Sequence, residues 1–329
     1  MKHAIYWWNL ENLFDVENSA ARPPWLQEHI KKELVGWDAN VLGTKLNQLC
    51  SIIQKMNNGL GPDILGVCEI ENENVVMLLM NKVGALTNRN YKIMHKNTGD
   101  ARGIDIAIIF DTAKYQDDGH IFSVEVMKRN ATRDLLQINL TTTNGKELII
   151  IGNHWPSRLG GKYESEPYRI MVGEILSYWI KRIHEIKLKQ SNIDNPSIIV
   201  MGDFNDNPFD RSIVDYLNAS PNIEMVKSSK SNALYNLMFN FYNTGFGTHV
   251  FGNEIGYLDQ FMVSKPFIVN SADNPFKIIS NDIVKFPELV KGKYNTPIRF
   301  SRPSEAKSYN PAGYSDHLPI ELIIDEKGI

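Results

Sequence analysis

The chain has 329 residues, enough to bury a sizeable core in one or two domains. Its composition, 43% hydrophobic and 22% charged, is that of an ordinary soluble globular protein, and no apolar run reaches the length of a bilayer span. A net charge of −3 excludes a bulk polycation that coats nucleic acid, and two cysteines exclude a disulfide framework.

In chain order, Met1-Lys2-His3 runs straight into an apolar strand over residues 4–8. No cleavable signal peptide is expected there, and a cytoplasmic, bacterial-type protein is the plainest reading. Arg22-Pro23-Pro24 closes the following loop, and residues 25–37 and 43–56 carry helical apolar spacing. A strand over 64–68 and a helix over 74–86 come next. Strand-like runs follow at 91–95, 105–110, 120–126, 135–141 and 147–151. A long helix is expected over 166–189, because Ile170, Val172, Ile175, Leu176, Trp179, Ile180 and Ile183 form one stripe. Strands at 197–201, 257–263 and 318–324 complete the order, without a repeat or a low-complexity tract. Cys50 and Cys68 fall in apolar surroundings and are expected as reduced thiols.

The informative residues lie at the margins of these strands. The run ending at Met201 opens into Gly202-Asp203-Phe204-Asn205-Asp206, an acid, an amide and a second acid. Their oxygens are hard ligands, suited to Mg²⁺, Mn²⁺ or Ca²⁺. Asp, Asn and Gly also dominate plain turns, so one such segment carries little weight. The pattern repeats, however: Asn9 and Glu11 after the first strand, Glu69 after the second, and Asn153-His154 after residue 151. Asp316-His317 precedes the last strand. Strand margins are where such scaffolds gather catalytic groups.

On these segments the chain resembles the endonuclease/exonuclease/phosphatase (DNase I-like) superfamily. Trp8–Phe14, Gly66–Glu71, Gly152–Arg158, Met201–Asp206, Tyr257–Phe261 and Tyr314–Pro319 match the family's motifs in order over nearly the entire chain. The wording is most similar to bacterial nuclease-like members. The resemblance implies a single domain over residues 1–329. Its expected fold is a four-layer α/β sandwich, two packed, mainly antiparallel β-sheets flanked by helices.

It also implies roles. Asn9 and Glu69 match metal-ligand positions, Glu11 a position that is acidic in several relatives, and Asp316 a metal-linked acid. On an extended strand Glu11 would share the face of Asn9. A surface carboxylate for Glu11 and a helix cap for Asp316 are the plain alternatives. By resemblance His317 pairs with Asp259, Asp203 and Asn205 orient the attacking water and grip the phosphate, and His154 binds a phosphate oxygen or protonates the leaving group. The choice of base stays open between Asp203 and the Asp259–His317 pair. His29, His95 and His184 lack a motif and are expected at the surface or in packing.

Arginine forks suit phosphate, which makes Arg102 and Arg158 candidate substrate contacts; Asp105 could orient His154 or end a turn. Residues 285–307 carry Lys285, Lys291, Lys293, Arg299, Arg302 and Lys307 against Glu288 and Glu305, with Tyr294 and Phe300 interleaved. This is the candidate groove wall for nucleic acid, or else an ordinary solvated loop. The expected activity is a Mg²⁺- or Mn²⁺-dependent phosphodiesterase, a DNase-like endo- or exonuclease. Nucleic acid would be its substrate, with no membrane and no obligate protein partner. The alternatives are a phosphatase or phosphodiesterase on inositol phosphates, nucleotides or phospholipid head groups, and an inactive binding module.

Overall fold

The computed structural model describes all residues except 101, 127–134, 231, 243, 272–273, 303–307 and 328–329. Strand β1 (Lys2–Leu13) is followed by helices α1 (Pro24–Ile30) and α2 (Ala39–Ile53), strand β2 (Ile64–Ile70) and helix α3 (Glu73–Thr87). Strands β3 (Tyr91–His95), β4 (Asp105–Asp111), β5 (Tyr115–Val124), β6 (Leu135–Thr142) and β7 (Glu147–His154) lead to helix α4 (Lys162–Ser191). Next come β8 (Ile198–Asp203), β9 (Ala219–Ser220), α5 (Ile223–Ser228) and β10 (Leu234–Asn236). The chain ends in β11 (His249–Phe251), β12 (Glu254–Gly256), β13 (Asp259–Val263), β14 (Phe276–Ile283), β15 (Val290–Lys291), β16 (Thr296–Pro297) and β17 (Ile320–Glu326).

Two sheets carry the architecture. A six-stranded sheet runs β14-β17-β1-β2-β4-β3 and a seven-stranded sheet runs β5-β6-β7-β8-β13-β10-β9. Most pairs are antiparallel; β1–β2, β7–β8 and β9–β10 are parallel. The central strands read as near-continuous Ile, Leu and Val runs because they are covered on both faces. The main core lies between the sheets and under α2 and α3, while Leu176, Ile180 and Ile183 of α4 pack with Ile149, Ile151 and Val200 on the outer face of the second sheet. The layers are helix, sheet, sheet, helix, as expected. Close approach of the sheets needs Gly66 in β2, where a Cβ would lie 2.5 Å from the Trp7 ring and 2.6 Å from the Met201 methyl.

Several boundaries differ from the sequence reading. The helix expected over 25–37 stops at Ile30, and Leu34 and Trp37 reach their small core through turns instead. Helix α2 begins earlier, capped by the Asp38 carboxylate on the amides of Asn40 and Val41. Helix α4 is longer at both ends and carries Pro167 within it. Cys50 and Cys68 are buried and unpaired. Among the described residues no helix is long and apolar enough to cross a membrane.

Candidate active site

The parallel register of β7 and β8 puts His154 opposite Asp203, and the antiparallel register of β8 and β13 puts Asp203 opposite Asp259. Three neighbouring strands therefore end level, with an imidazole and two carboxylates in a row. Beyond β8 the backbone turns at Asn205, whose φ is +51°. That turn is held by the Asn205 amide on Asp203 (2.9 Å) and by its side-chain Nδ2 on the Trp155 carbonyl (2.9 Å). Behind it, Asp206 is buried against Arg169, at 2.7 Å, and accepts from Ser212 at 2.6 Å.

The first sheet supplies the facing wall. Asn9 donates from Nδ2 to Asp203 Oδ2 at 3.1 Å, a hydrogen bond that crosses from one sheet to the other. Glu69, at the end of β2, has φ +59° and accepts from the Asn12 amide at 3.0 Å. Its carboxylate lies 3.6 Å from His154 Nε2. A left-handed conformation at a glutamate is costly, and it turns the side chain out of the pleat toward the cleft.

The loop before β17 closes the site. His317 Nδ1 lies 2.7 Å from Asp259, whose other oxygen accepts from Trp7 Nε1 at 3.1 Å. His317 Nε2 and His154 Nε2 lie 3.9 and 3.7 Å from Asp203 Oδ2. Asp203 is thus the centre, with both imidazoles and the Asn9 amide directed at it.

Burial and neighbours split the two histidines. At His317 burial disfavours the charge, but Asp259, Asp203 and Asp316 outweigh it and hold the imidazolium well above the usual histidine range. His154 goes the other way, held well below that range by burial and by the Arg102 and His317 cations. Burial pushes the Asp203 carboxyl up to about 7, with Asp259 and Glu69 adding to the shift and His317 opposing it. The two imidazoles are shifted in opposite directions, the kind of separation that divides acid from base.

Asn9, Glu69 and Asp316 could hold a divalent cation. Burial raises the Glu69 carboxyl, and repulsion from Asp316 raises it further, the situation that a hard cation between two carboxylates relieves. Among the described residues three side-chain groups also bring potential ligand atoms within 4.8 Å: Cys68–His154–Asp203, His249–Asp316–His317 and Asp203–Asp259–His317. Two of them are explained without metal. Burial holds the Cys68 thiol well above its usual range, and Asp259 and His317 already satisfy each other. The oxygen set fits Mg²⁺ or Mn²⁺ better.

Two expected contacts are directed elsewhere. Glu11 does not share the face of Asn9, because φ is +52° at Glu11 and +56° at Asn12, which breaks the alternation. Its carboxylate accepts from Arg299 Nε (2.8 Å) and from the amides of Phe300 (3.0 Å) and Ser301 (3.3 Å). Arg158 donates to the Asn205 carbonyl (2.7 Å) and to Asp206 and Asp210, bracing the Asn205 loop from behind. Asp105 binds His95 and Thr98, and the His95 side chain is a buried partner in that pair. Arg102 is half-exposed beside Asp100.

Of the basic stretch, Arg299 reaches the site: it lies 3.3 Å from Asp316, and its side chain stays 58% exposed. Lys285 sits over Phe246 and near Asp282, and Arg302 pairs with Glu33. Lys307 and Glu305 lie outside the described residues. The structure also adds two groups that no motif marked. His249 lies with its ring 4.8 Å from that of His317, and burial lowers its pKa to about 4. Lys45 of α2 is fully buried and donates to the carbonyls of Glu11 (3.2 Å) and Tyr314 (2.8 Å), tying β1 to the Asp316 loop. Lysine at a helical core position reads as a surface residue unless its acceptors are known.

A profile of the Endonuclease/Exonuclease/phosphatase family matches residues 4–326, all but the ends of the chain. The chain belongs to the endonuclease/exonuclease/phosphatase family. Similar solved structures include a D. rerio TDP2 complexed with single strand DNA product, at 13% identity and a TM-score of 0.57 over 98% of this chain and 99% of that one. An endonuclease/exonuclease/phosphatase family protein from Bacteroides thetaiotaomicron has 13% identity and a TM-score of 0.56 over 98% and 97%. A mannosyl-6-phosphatase from the same organism has 14% identity and a TM-score of 0.55 over 98% and 99%. At this identity the likenesses establish the fold, the DNase I-like α/β sandwich. No curated protein matches the sequence. In this endonuclease/exonuclease/phosphatase family member the row of His154, Asp203 and Asp259 and the facing Asn9 and Glu69 come from all the motifs read in the sequence except the last, which supplies His317.

Proposed function

We propose that the chain, as one catalytic domain, is a divalent-metal-dependent phosphodiesterase that cleaves nucleic acid, a DNase-like endo- or exonuclease. The observation that carries this reading is the convergence on Asp203 of two imidazoles shifted in opposite directions, with an Asn–Glu pair facing them from the other sheet. Asn9, Glu69 and Asp316 would hold Mg²⁺ or Mn²⁺, which supplies Lewis-acid neutralisation of the phosphate charge.

The protein groups do the rest. Three carboxylates favour the charged form of His317, which carries protons on both ring nitrogens and has no lone pair with which to act as base. Asp203, with its carboxyl near neutrality, takes the proton of the attacking water as the new P–O bond forms, and the ester oxygen leaves as its own P–O bond breaks, taking its proton from solvent. Asp259 fixes the orientation of His317 and stabilises its charge opposite the developing negative charge on phosphorus oxygens. Neutral His154 donates a hydrogen bond to a non-bridging oxygen, and Asn205 positions the phosphate. Arg102 and Arg299, half-exposed at the rim, attract the flanking phosphates. Arg158 and Glu11 hold the loops that carry these groups. The likeness to a TDP2 seen with a single-strand DNA product supports the choice of polymer.

The test is cleavage of supercoiled plasmid, single-stranded DNA and RNA with Mg²⁺ or Mn²⁺, beside an EDTA control and a His317→Ala protein. Metal-dependent cutting that the variant loses is expected. Absence of cutting on every polymer, with phosphate released from a sugar phosphate or inositol phosphate, would overturn the nuclease reading.

A further inference from the structure

A ladder of three aromatic rings climbs out of the candidate site. Its base is Tyr257, buried two residues before Asp259. The Tyr257 amide donates to the Asn207 side chain at 2.9 Å, which stitches it to the loop carrying Asp203 and Asn205. The Tyr242 ring lies 6.1 Å from Tyr257, and the Phe209 ring 4.8 Å from Tyr242. The outer two rings are 48% and 41% exposed, four residues beyond Asn205 in the case of Phe209.

Phe209 follows Pro208 on the short segment between Asn205 and Arg211, where a small polar residue would close the turn equally well. Three edge-to-face rings leave aromatic surface open to water while fixing the position of each ring against its neighbour. Rigid, exposed, ordered rings form a stacking platform, and every nucleobase has a π-face to place on one. The surroundings fit the same ligand. Half-exposed Arg102 and Arg299 mark the rim as anion-attracting, and the loop that ends in Phe209 begins at the groups proposed to grip the phosphate.

We infer that Phe209 and Tyr242 form a base-stacking subsite that binds an unpaired nucleobase next to the scissile phosphate, so that single-stranded or locally frayed nucleic acid is the substrate. The inference rests on the nuclease reading above. Paired bases are already stacked on one another and offer no free face, which separates single strand from duplex here.

Two measurements test the subsite separately from the chemistry. The first uses an oligonucleotide carrying 2-aminopurine, mixed with protein in EDTA so that no cleavage is needed. Wild type quenches the 2-aminopurine fluorescence; a Phe209→Leu/Tyr242→Leu protein, which keeps apolar bulk, quenches at least about tenfold more weakly at equal concentration. The second compares KM for a base-bearing single strand and for an abasic tetrahydrofuran strand of equal length, with metal present. Wild type prefers the base-bearing strand by about tenfold, and the double variant loses that preference. Equal quenching by both proteins, or equal KM for both strands in wild type, overturns the subsite even if cleavage is robust. Quenching without cleavage of any strand leaves the subsite standing and sinks the nuclease reading. Concentration-dependent self-association that the double variant abolishes would assign the rings to a second copy of the chain and overturn the inference.

Discussion

Two buried histidine–carboxylate pairs sit at opposite ends of the paired strands β1 and β17, and they are driven in opposite directions. At one end His3 Nε2 lies 3.0 Å from Glu326 and its Nδ1 lies 2.5 Å from the Tyr115 hydroxyl, with Thr142 filling the other Glu326 oxygen. Burial wins there, and the His3 pKa falls despite its acid partner. At the other end His317 faces Asp259, Asp203 and Asp316 together, and its pKa rises well above the ordinary value. At His3, Glu326 and Asp63, opposed by Lys114, do not offset the desolvation of an imidazolium; at His317 three carboxylates do. A buried ion pair is therefore no sign of a site by itself. Convergence of several like-charged groups that the fold leaves facing one another is a better sign, and it is found where the two sheets open.

The sharpest way to break this comparison is to remove each histidine. His317→Asn should lower phosphodiester cleavage by about 10³-fold, and it should also lower the unfolding midpoint at acid pH, where the imidazolium stabilises the fold against three carboxylates. His3→Leu should spare cleavage per folded molecule while costing about 3 kcal/mol in urea unfolding, because the buried Glu326 then keeps Thr142 but loses its imidazole partner. Full stability with lost cleavage in the His3 variant would show that the closed end is coupled to the chemistry.

A second test concerns the repulsion at the open end. Glu69→Gln should weaken Mn²⁺ binding by at least about tenfold in calorimetric titration and should also raise the melting temperature of the metal-free protein, since Asp316 then loses a repelling neighbour. A metal-free variant that melts lower would mean that Glu69 is held chiefly by its bond to Asn12. Arg158→Ala discriminates bracing from substrate contact: kcat should fall about tenfold at nearly constant KM as the Asn205 turn loosens. A rise in KM alone would return Arg158 to the substrate.

The smallest effect is in pH. A histidine whose folded pKa is lowered takes up its proton more readily when unfolded, so stability falls as pH drops below the ordinary value of 6.5. His249, lowered to about 4, should contribute between pH 6.5 and 4, and His249→Gln should flatten the urea midpoint over that window. His317 has the opposite sign: its stabilisation is present below 6.5 and is lost as pH rises through its raised value.

Much of the framework was legible in order along the chain. Apolar runs ending in Asp, Asn, Glu or His marked the strands and their outward ends, because a central strand must be apolar until it leaves the core. Local pattern failed where backbone conformation changed sign. Period two put Glu11 beside Asn9, yet two successive left-handed residues turned it onto Arg299 and the amides of residues 300 and 301. Arg158 read as a free fork because its acceptors, the Asn205 carbonyl, Asp206 and Asp210, lie about fifty residues away in sequence.

The sequence by itself determined the kinds of chemistry available and the strands that deliver them: hard oxygens and two motif histidines, one of them next to an acid. Only the tertiary structure decided which of those groups meet. The register of β7, β8 and β13 lines up His154, Asp203 and Asp259, and the Asn9–Asp203 bond joins the two sheets. His249, Lys45 and Arg299 enter by the same route, as side chains without a motif whose roles depend on distant partners. The physical reason is that charge state and orientation depend on burial and on neighbours across the fold, and neither is encoded in the residues adjacent in the chain.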